Sequence, residues 1–182
     1  MKRSLIALAL AVALPFSAHA SELKYSYVEA DYVNLDSDAD GWGLRGSVDF
    51  GASDFYGLAS YTKINVDTGF GDFDVDSYEA GFGYHHALTT KSDLIAEAVY
   101  QNVDAGIVDI DGYRVSVGLR AALAPNFEGL IKANYIDGSD IDSDVTGTIG
   151  GQYKFDSTWG ATAEVEFANG DTAYLVGVRA SF

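Results

Sequence analysis

The sequence predicts an all-β fold, an antiparallel up-and-down transmembrane β-barrel of ten strands, with eight as the count if segments merge. Three observations carry this prediction. Stretches of about ten residues alternate between apolar and polar with period 2, which is a strand signature at the length a tilted membrane strand needs. The connections between them alternate in kind, and aromatic residues gather near both ends of the segments, as the two interfaces of a bilayer select.

The chain opens with a removable leader. Lys2 and Arg3 precede an apolar run from Leu5 to Phe16, and Ala18-His19-Ala20 has the small-x-small pattern of a cleavage site. The mature chain is expected to begin at Ser21, leaving residues 21–182 as one barrel domain. There is no cysteine, and no run of eighteen apolar residues follows the leader. The formal charge of -16 lacks the basic footprint that nucleic acid demands.

Ten extended segments follow in order. The first, Leu23 to Val33, turns Val28, Ala30 and Tyr32 to lipid and Glu29 and Asp31 inward. In the second, Gly41 to Gly51, Trp42, Leu44, Gly46, Val48 and Phe50 face out, opposite Arg45 and Asp49. The third, Phe55 to Asn65, is ambiguous in phase, and Phe55, Gly57, Ala59 and Tyr61 are assigned outward. The fourth, about Val75 to His86, points Tyr78, Ala80, Phe82 and Tyr84 out, with Glu79 and His85 in. The fifth, Asp93 to Asp104, sets Leu94, Ala96, Ala98 and Tyr100 against Glu97 and Gln101.

The sixth, Gly112 to Leu123, alternates most cleanly: Tyr113, Val115, Val117, Leu119 and Ala121 oppose Arg114, Ser116, Gly118 and Arg120. The seventh, Phe127 to Asp137, places Ile131 and Tyr135 out and Glu128, Lys132 and Asn134 in. The eighth, about Val145 to Phe155, sets Ile149 and Tyr153 against Thr148, Gln152 and Lys154. The ninth, Trp159 to Ala168, sets Val165 and Phe167 against Thr162, Glu164 and Glu166. The tenth, Ala173 to Phe182, sets Tyr174, Val176, Val178 and Phe182 outward and Arg179 inward. Its aromatic carboxyl terminus resembles the insertion signal of bacterial outer-membrane barrels, which implies the barrel-insertion machinery as a partner.

One set of connections reads as short: Ala52 to Asp54, Ala87 to Ser92, Ala124 to Asn126 and Asp156 to Thr158. The other reads as longer and acidic, carrying Asp36, Asp38, Asp40, Asp67, Asp72, Asp74, Asp109, Asp111, Asp140, Asp142, Asp144 and Asp171. An even strand number puts both termini at the short-turn end, the periplasmic end in an outer membrane. Opposite charges on the inward faces are expected to pair, because an unpaired buried charge is costly. They are read as a salt-bridged filling of the lumen, or as the lining of a narrow ion pathway.

Asp36-Ser37-Asp38-Ala39-Asp40-Gly41 opens like a calcium-binding loop, but its twelfth place is Ser47 where the motif needs Glu. The acidic loops are expected to hold divalent cations weakly at most, perched near lipopolysaccharide phosphates. No cofactor and no enzyme activity are expected. The mature histidines, His85 and His86, lie at the short-turn end, there is no thiol, and Gly69 and Gly71 do not complete a phosphate loop.

Several stretches, Val28-Glu29-Ala30-Asp31-Tyr32-Val33, Asp38-Ala39-Asp40-Gly41-Trp42-Gly43, Gly81-Phe82-Gly83-Tyr84, Asn126-Phe127-Glu128-Gly129 and Gly150-Gly151-Gln152-Tyr153-Lys154, together resemble the small outer-membrane barrel family of xanthomonads and relatives, the "Ax" type. The leader is similar too. The resemblance implies an outer-membrane location, release in vesicles, and a contested label of quorum or immune-activating factor tied to Leu23 to Tyr27. It would allow sulfation of Tyr25, while the residue pattern reads Tyr25 as a strand residue at the membrane interface. The leading expectation is a monomeric barrel with a structural or interaction role at the envelope. A narrow ion or solute channel and a secreted signalling factor are the alternatives.

Overall fold

The computed structural model describes residues 23–35, 39–51, 53–68, 71–106, 108–139, 143–168 and 170–182. The leader, Asp36, Asp38, Ala52, Gly69, Asp140 and Asp142 lie outside the described residues, as do the side chains of Asp67 and Asp72. Ten strands form: β1 (Tyr27–Leu35), β2 (Ala39–Asp49), β3 (Phe55–Thr68), β4 (Gly71–Thr89), β5 (Ser92–Asp104), β6 (Asp109–Ala124), β7 (Phe127–Gly138), β8 (Asp144–Lys154), β9 (Trp159–Phe167) and β10 (Thr172–Ser181). Each pairs antiparallel with its chain neighbours, and β1 closes on β10 from Tyr27↔Ser181 to Leu35↔Ala173. The count is ten, so no segments merge.

Period 2 decides which way every side chain points. Val28, Tyr32, Trp42, Leu44, Phe82, Tyr100, Val117, Ile131, Ile149, Val176 and Phe182 are exposed on the outer wall, while Glu29, Asp31, Arg120, Glu128, Glu164 and Arg179 are buried within. Tyr56 is buried and Phe55 exposed, so the ambiguous third segment has the assigned phase. An outer wall of aromatic and aliphatic residues around a charged inside inverts a water-soluble barrel and fits one standing in lipid.

Several boundaries depart from expectation, β2 starting at Ala39 and β6 at Asp109 among them. The first strand begins at Tyr27, because Leu23 to Tyr25 leave the wall and enter the lumen, while Ser26 still accepts from Phe182 N–H at 2.9 Å. β3 and β4 run on to Thr68 and back from Gly71, past the point where β5 ends opposite Asp76. Cross-strand polar pairs support this hairpin: Lys63 Nζ lies 2.7 Å from Asp74 Oδ2, and Asn65 Nδ2 donates to Asp74 Oδ1 at 3.2 Å. The acidic connections are therefore not long loops. Asp74, Asp109, Asp111 and Asp144 sit on strands, with β3 ending at Thr68 and β4 starting at Gly71, and β5 ending at Asp104 and β6 starting at Asp109. At the opposite end the turns span residues 50–54, 90–91, 125–126 and 155–158, so loop length does not distinguish the two ends. Gly51 takes a φ of 75° in the first of these, with its N–H donated to Asp49 Oδ1 at 2.7 Å. Below, this is the turn end and the acidic side is the rim end.

Both aromatic belts are present. Phe50, Phe55, Phe127, Phe155, Trp159 and Phe182 ring the turn end, and Tyr32, Trp42, Tyr78, Tyr100, Tyr113, Tyr135, Phe167 and Tyr174 ring the rim end. The rim belt is tied to the aspartates. Tyr61 donates to Asp76 at 2.5 Å, Tyr113 and Tyr135 donate to Asp137 at 2.9 and 3.1 Å, and Tyr100 donates to Asp111.

Candidate functional site: the barrel interior

Six inward cations (Arg45, Arg114, Arg120, Lys132, Lys154, Arg179) share the lumen with nine carboxylates (Glu29, Asp31, Asp49, Glu79, Asp93, Glu97, Glu128, Glu164, Glu166) among the described residues. They fall into two arcs of wall. The first covers β9, β10, β1 and β2. There Arg45 donates from Nε to Asp31 at 2.8 Å, from Nη1 to Glu164 at 2.8 Å, and from Nη2 to Glu29. Arg179 also donates to Glu29, and Thr162 Oγ1 adds a third donor at 3.1 Å. The guanidinium of Arg179 lies 4.0 Å from the Tyr27 ring centroid. Glu29 is wholly buried, so these donors replace all the water it loses.

The second arc covers β3 to β8. Glu79 accepts from Arg114 at 2.7 Å, from Ser60 at 3.2 Å, and from Gln101. Glu97 accepts from Lys132 at 3.1 Å and from the Tyr56 hydroxyl at 2.8 Å. Arg120 donates to Glu128 from Nε at 3.0 Å and Nη2 at 2.6 Å, and Lys154 pairs with the same carboxylate. Nearer the rim, Asn134 donates to Thr146 and Thr148 at 3.0 Å each, and Thr146 donates to Glu166 at 2.9 Å. A cavity of about 70 Å³ lies between the arcs, bounded by Arg45, Glu164 and Arg179 on one side and Tyr56, Glu97 and Lys132 on the other. That is room for a few waters.

The turn end of the lumen is closed by the chain's own start. Tyr25 is 4% exposed and is not an interfacial strand residue. Its hydroxyl donates to Asp93 on β5 at 2.8 Å, its ring stacks on His85 with centroids 4.0 Å apart at 6°, and Tyr56 packs at 5.0 Å. Arg120 sits 5.0 Å over the same ring and donates from Nη1 to the Lys24 carbonyl at 2.8 Å. Leu23 joins Tyr25, Tyr56 and Ile95 in an apolar cluster flanked by Leu58, Ala122 and Leu130. The physical reason is plain. A tyrosine at the wall would face lipid or water, whereas here its ring buries apolar area and its hydroxyl finds a buried carboxylate. Gly83 makes this possible, since a Cβ there would collide with the Tyr56 ring. A hydroxyl so enclosed offers no access for sulfation in the folded barrel.

All eleven charged residues singled out from sequence, Arg45, Glu79, Glu97, Arg114, Arg120, Glu128, Lys132, Lys154, Glu164, Glu166 and Arg179, are placed inside. Tyr174, Val176, Val178 and Phe182 are placed on the outer face. Sequence reasoning missed Tyr25, Tyr56 and Asp93. The signal was available for Tyr56 and Asp93: the assigned phases turn both inward, an aromatic and a carboxylate close to the turn end. Among the described residues no acidic or histidine group is assembled to hold a metal ion. His85 stands between Asp49 (3.6 Å) and Asp93 (3.7 Å), with Tyr25 stacked on its ring.

No family model matches the chain, and no curated protein matches its sequence. Solved structures do. The KdgM porin in complex with disordered oligogalacturonate superposes with a TM-score of 0.59 at 17% identity, over 86% of this chain and 99% of that one. The NanC porin does so with a TM-score of 0.57 at 10% identity, over 86% of this chain and 100% of that one. At such identities the likeness is one of fold: this chain folds as a small barrel of the outer-membrane kind.

Proposed function

We propose that the chain is a monomeric outer-membrane barrel with a lumen closed at rest, whose role is structural and interactive at the envelope. In this reading both termini lie in the periplasm, lipid and lipopolysaccharide cover the outer wall, and Tyr174, Val176, Val178 and Phe182 present the insertion signal. The observation that carries it is the filled interior. Paired charges occupy the lumen, the cavity between the arcs is about 70 Å³, and Tyr25 and Leu23 stop the turn end. Small barrels near eight strands are just filled by side chains.

A narrow channel is the second reading, favoured by the fold shared with two porins. The oligogalacturonate in the complex with the KdgM porin is a polyanion, and nine inward carboxylates against six cations do not suit one here. The test is conductance of the refolded protein, without residues 1–20, in a planar bilayer, with folding shown by a heat-denaturable gel shift. Silence from folded protein is expected. Steady large steps from the unaltered chain would overturn the closed-lumen reading.

A further inference from the structure

We propose that Leu23 to Tyr25 form a removable plug, and that the barrel conducts small cations when this segment leaves the lumen. The inference rests on the closed-lumen reading and adds that the closure is conditional.

The first argument is topological. The ion pairs described above join strands no more than three places apart around the wall. Arg45 on β2 reaches Glu164 on β9, Lys132 on β7 reaches Glu97 on β5, and Arg120 on β6 meets Glu128 on adjacent β7. Such bonds run along the wall and leave the cavity between the arcs uncrossed. Tyr25 does something different. It enters from the start of β1 and bonds Asp93 on β5, while the Lys24 carbonyl takes a donor from β6 and Lys24 Nζ donates to the Ser157 carbonyl at 2.6 Å. The segment therefore crosses the mouth from one side of the barrel to the other.

The second argument is how the segment is held. It belongs to no strand and is held through side chains and single polar groups, among them the Tyr25 ring and hydroxyl, the Lys24 carbonyl and ammonium, and the Leu23 side chain. Ser26 stays with the wall, accepting from Phe182 N–H at 2.9 Å and from Asp49 N–H at 3.0 Å, so withdrawing Leu23 to Tyr25 leaves the rungs of β1 in place. Every ion pair between wall strands survives its departure, and Arg120 keeps both bonds to Glu128.

The third argument is what lies on either side. Tyr25 lines the 70 Å³ cavity between the arcs, and Lys24 lines a second cavity of about 350 Å³ at the turn end. Arg120, Glu128 and Gln152 line both. The two spaces are thus neighbours, divided by the plug together with Arg120, Glu128 and Gln152, and withdrawal of the plug opens the way between them past these side chains. The excess of inward carboxylates over inward cations then sets the sign of what passes: small cations enter, anions are opposed.

The test uses the refolded protein without residues 1–20 and its Tyr25→Ala variant in planar bilayers under a salt gradient. Tyr25→Ala is expected to raise open probability at least tenfold over the unaltered chain, with a reversal potential on the cation side. Tyr25→Phe, which keeps the ring and loses the hydroxyl, should fall between. A folded Tyr25→Ala barrel as silent as the parent overturns the plug while leaving the closed-lumen reading intact. Steady conduction by the parent overturns that reading and the plug together. Anion-side reversal overturns the cation assignment. The absence of native cysteine allows a second measurement that needs no conduction. Leu23→Cys should react slowly with a water-soluble maleimide in the parent and at least tenfold faster with Tyr25→Ala. Fast labelling in the parent, at the rate of an exposed Ser157→Cys, would show that the segment is not docked and overturn the proposal.

Discussion

The two arcs of the lumen wall solve the same electrostatic problem differently. Around β9, β10, β1 and β2, three carboxylates (Glu29, Asp31, Glu164) share two arginines (Arg45, Arg179) in one connected network. Around β3 to β8 the carboxylates are served separately: Glu79 and Glu97 each take one cation, with helpers such as Tyr56 and Gln101, at partly exposed sites, and buried Glu128 takes Arg120 and Lys154 in a pairing of its own. The dense network straddles β1 and β10, the neighbouring strands that no hairpin connects. Register elsewhere is fixed by a turn, but here only side chains can fix it. Glu29 lies directly opposite Arg179 on one neighbour and Arg45 on the other. A slip of one residue between β1 and β10 would put Arg179 on the opposite face from Glu29 while Arg45 stayed with β1, so the network acts as the register mark for closure.

The largest expected effect is on that seam. Arg45→Ala strands Glu29, Asp31 and Glu164 in a buried site with Arg179 alone to serve them. Removing one partner of a buried ion pair costs about 3–5 kcal/mol. Urea unfolding in detergent micelles should show a loss of that order for Arg45→Ala. Lys132→Ala in the other arc should lose less, about 1–3 kcal/mol, because Glu97 keeps the Tyr56 hydroxyl and access to water. Equal losses would remove the distinction between the arcs.

Much of this was legible in the sequence, for a stated reason. Period 2 is a local property, so the phases of Trp42 to Phe50 or Tyr113 to Ala121 could be read without knowing any neighbour. Which carboxylate meets which arginine depends on register between strands, and Glu29 and Arg179 are 150 positions apart. The start of the chain was misread because Leu23 to Tyr27 also alternates. A segment whose apolar and polar groups alternate can lie in the wall or fill a mouth, and only the ring of partners at Asp93, His85 and Arg120 decides between them. The acidic stretches were read as loops because aspartate is a poor strand former. Cross-strand partners such as Lys63 and Asn65 for Asp74 override that preference.

A next smaller effect probes how the second arc meets the plug. Gly83 lies beneath the Tyr56 ring, and any side chain there displaces it. Gly83→Val should cost roughly 1–3 kcal/mol in the same unfolding assay, the usual range for overpacking. It should also speed maleimide labelling of Leu23→Cys, since Tyr56 packs on Tyr25. The Arg45 seam has no contact with that ring, so Gly83→Val and Arg45→Ala should be additive in stability. Strong coupling between them would mean that the arcs are one network.

The smallest effect lies at the β8–β9 turn, where the plug's lysine is anchored. Asp156 accepts from the backbone N–H groups of Thr158 at 2.7 Å and Trp159 at 2.8 Å, and these donors, Trp159 first, hold its carboxyl below the ordinary carboxylate range. A carboxyl depressed in the folded state stabilises fully above its unfolded value, ~3.9 for Asp, and loses that contribution as pH falls through the folded value. The turn should therefore be unchanged from pH 7 to pH 5 and loosen only below the ordinary Asp range. Lys24 Nζ donates to the carbonyl of Ser157 inside this same turn. Because maleimide reacts with the thiolate, Leu23→Cys labelling is taken relative to glutathione at the same pH; that ratio should be flat across pH 5 to 7 and rise at lower pH, and Asp156→Ala should show the raised ratio already at pH 7. A variant that labels like the parent at every pH would detach the plug from this turn, leaving its hold to Asp93, His85 and Arg120.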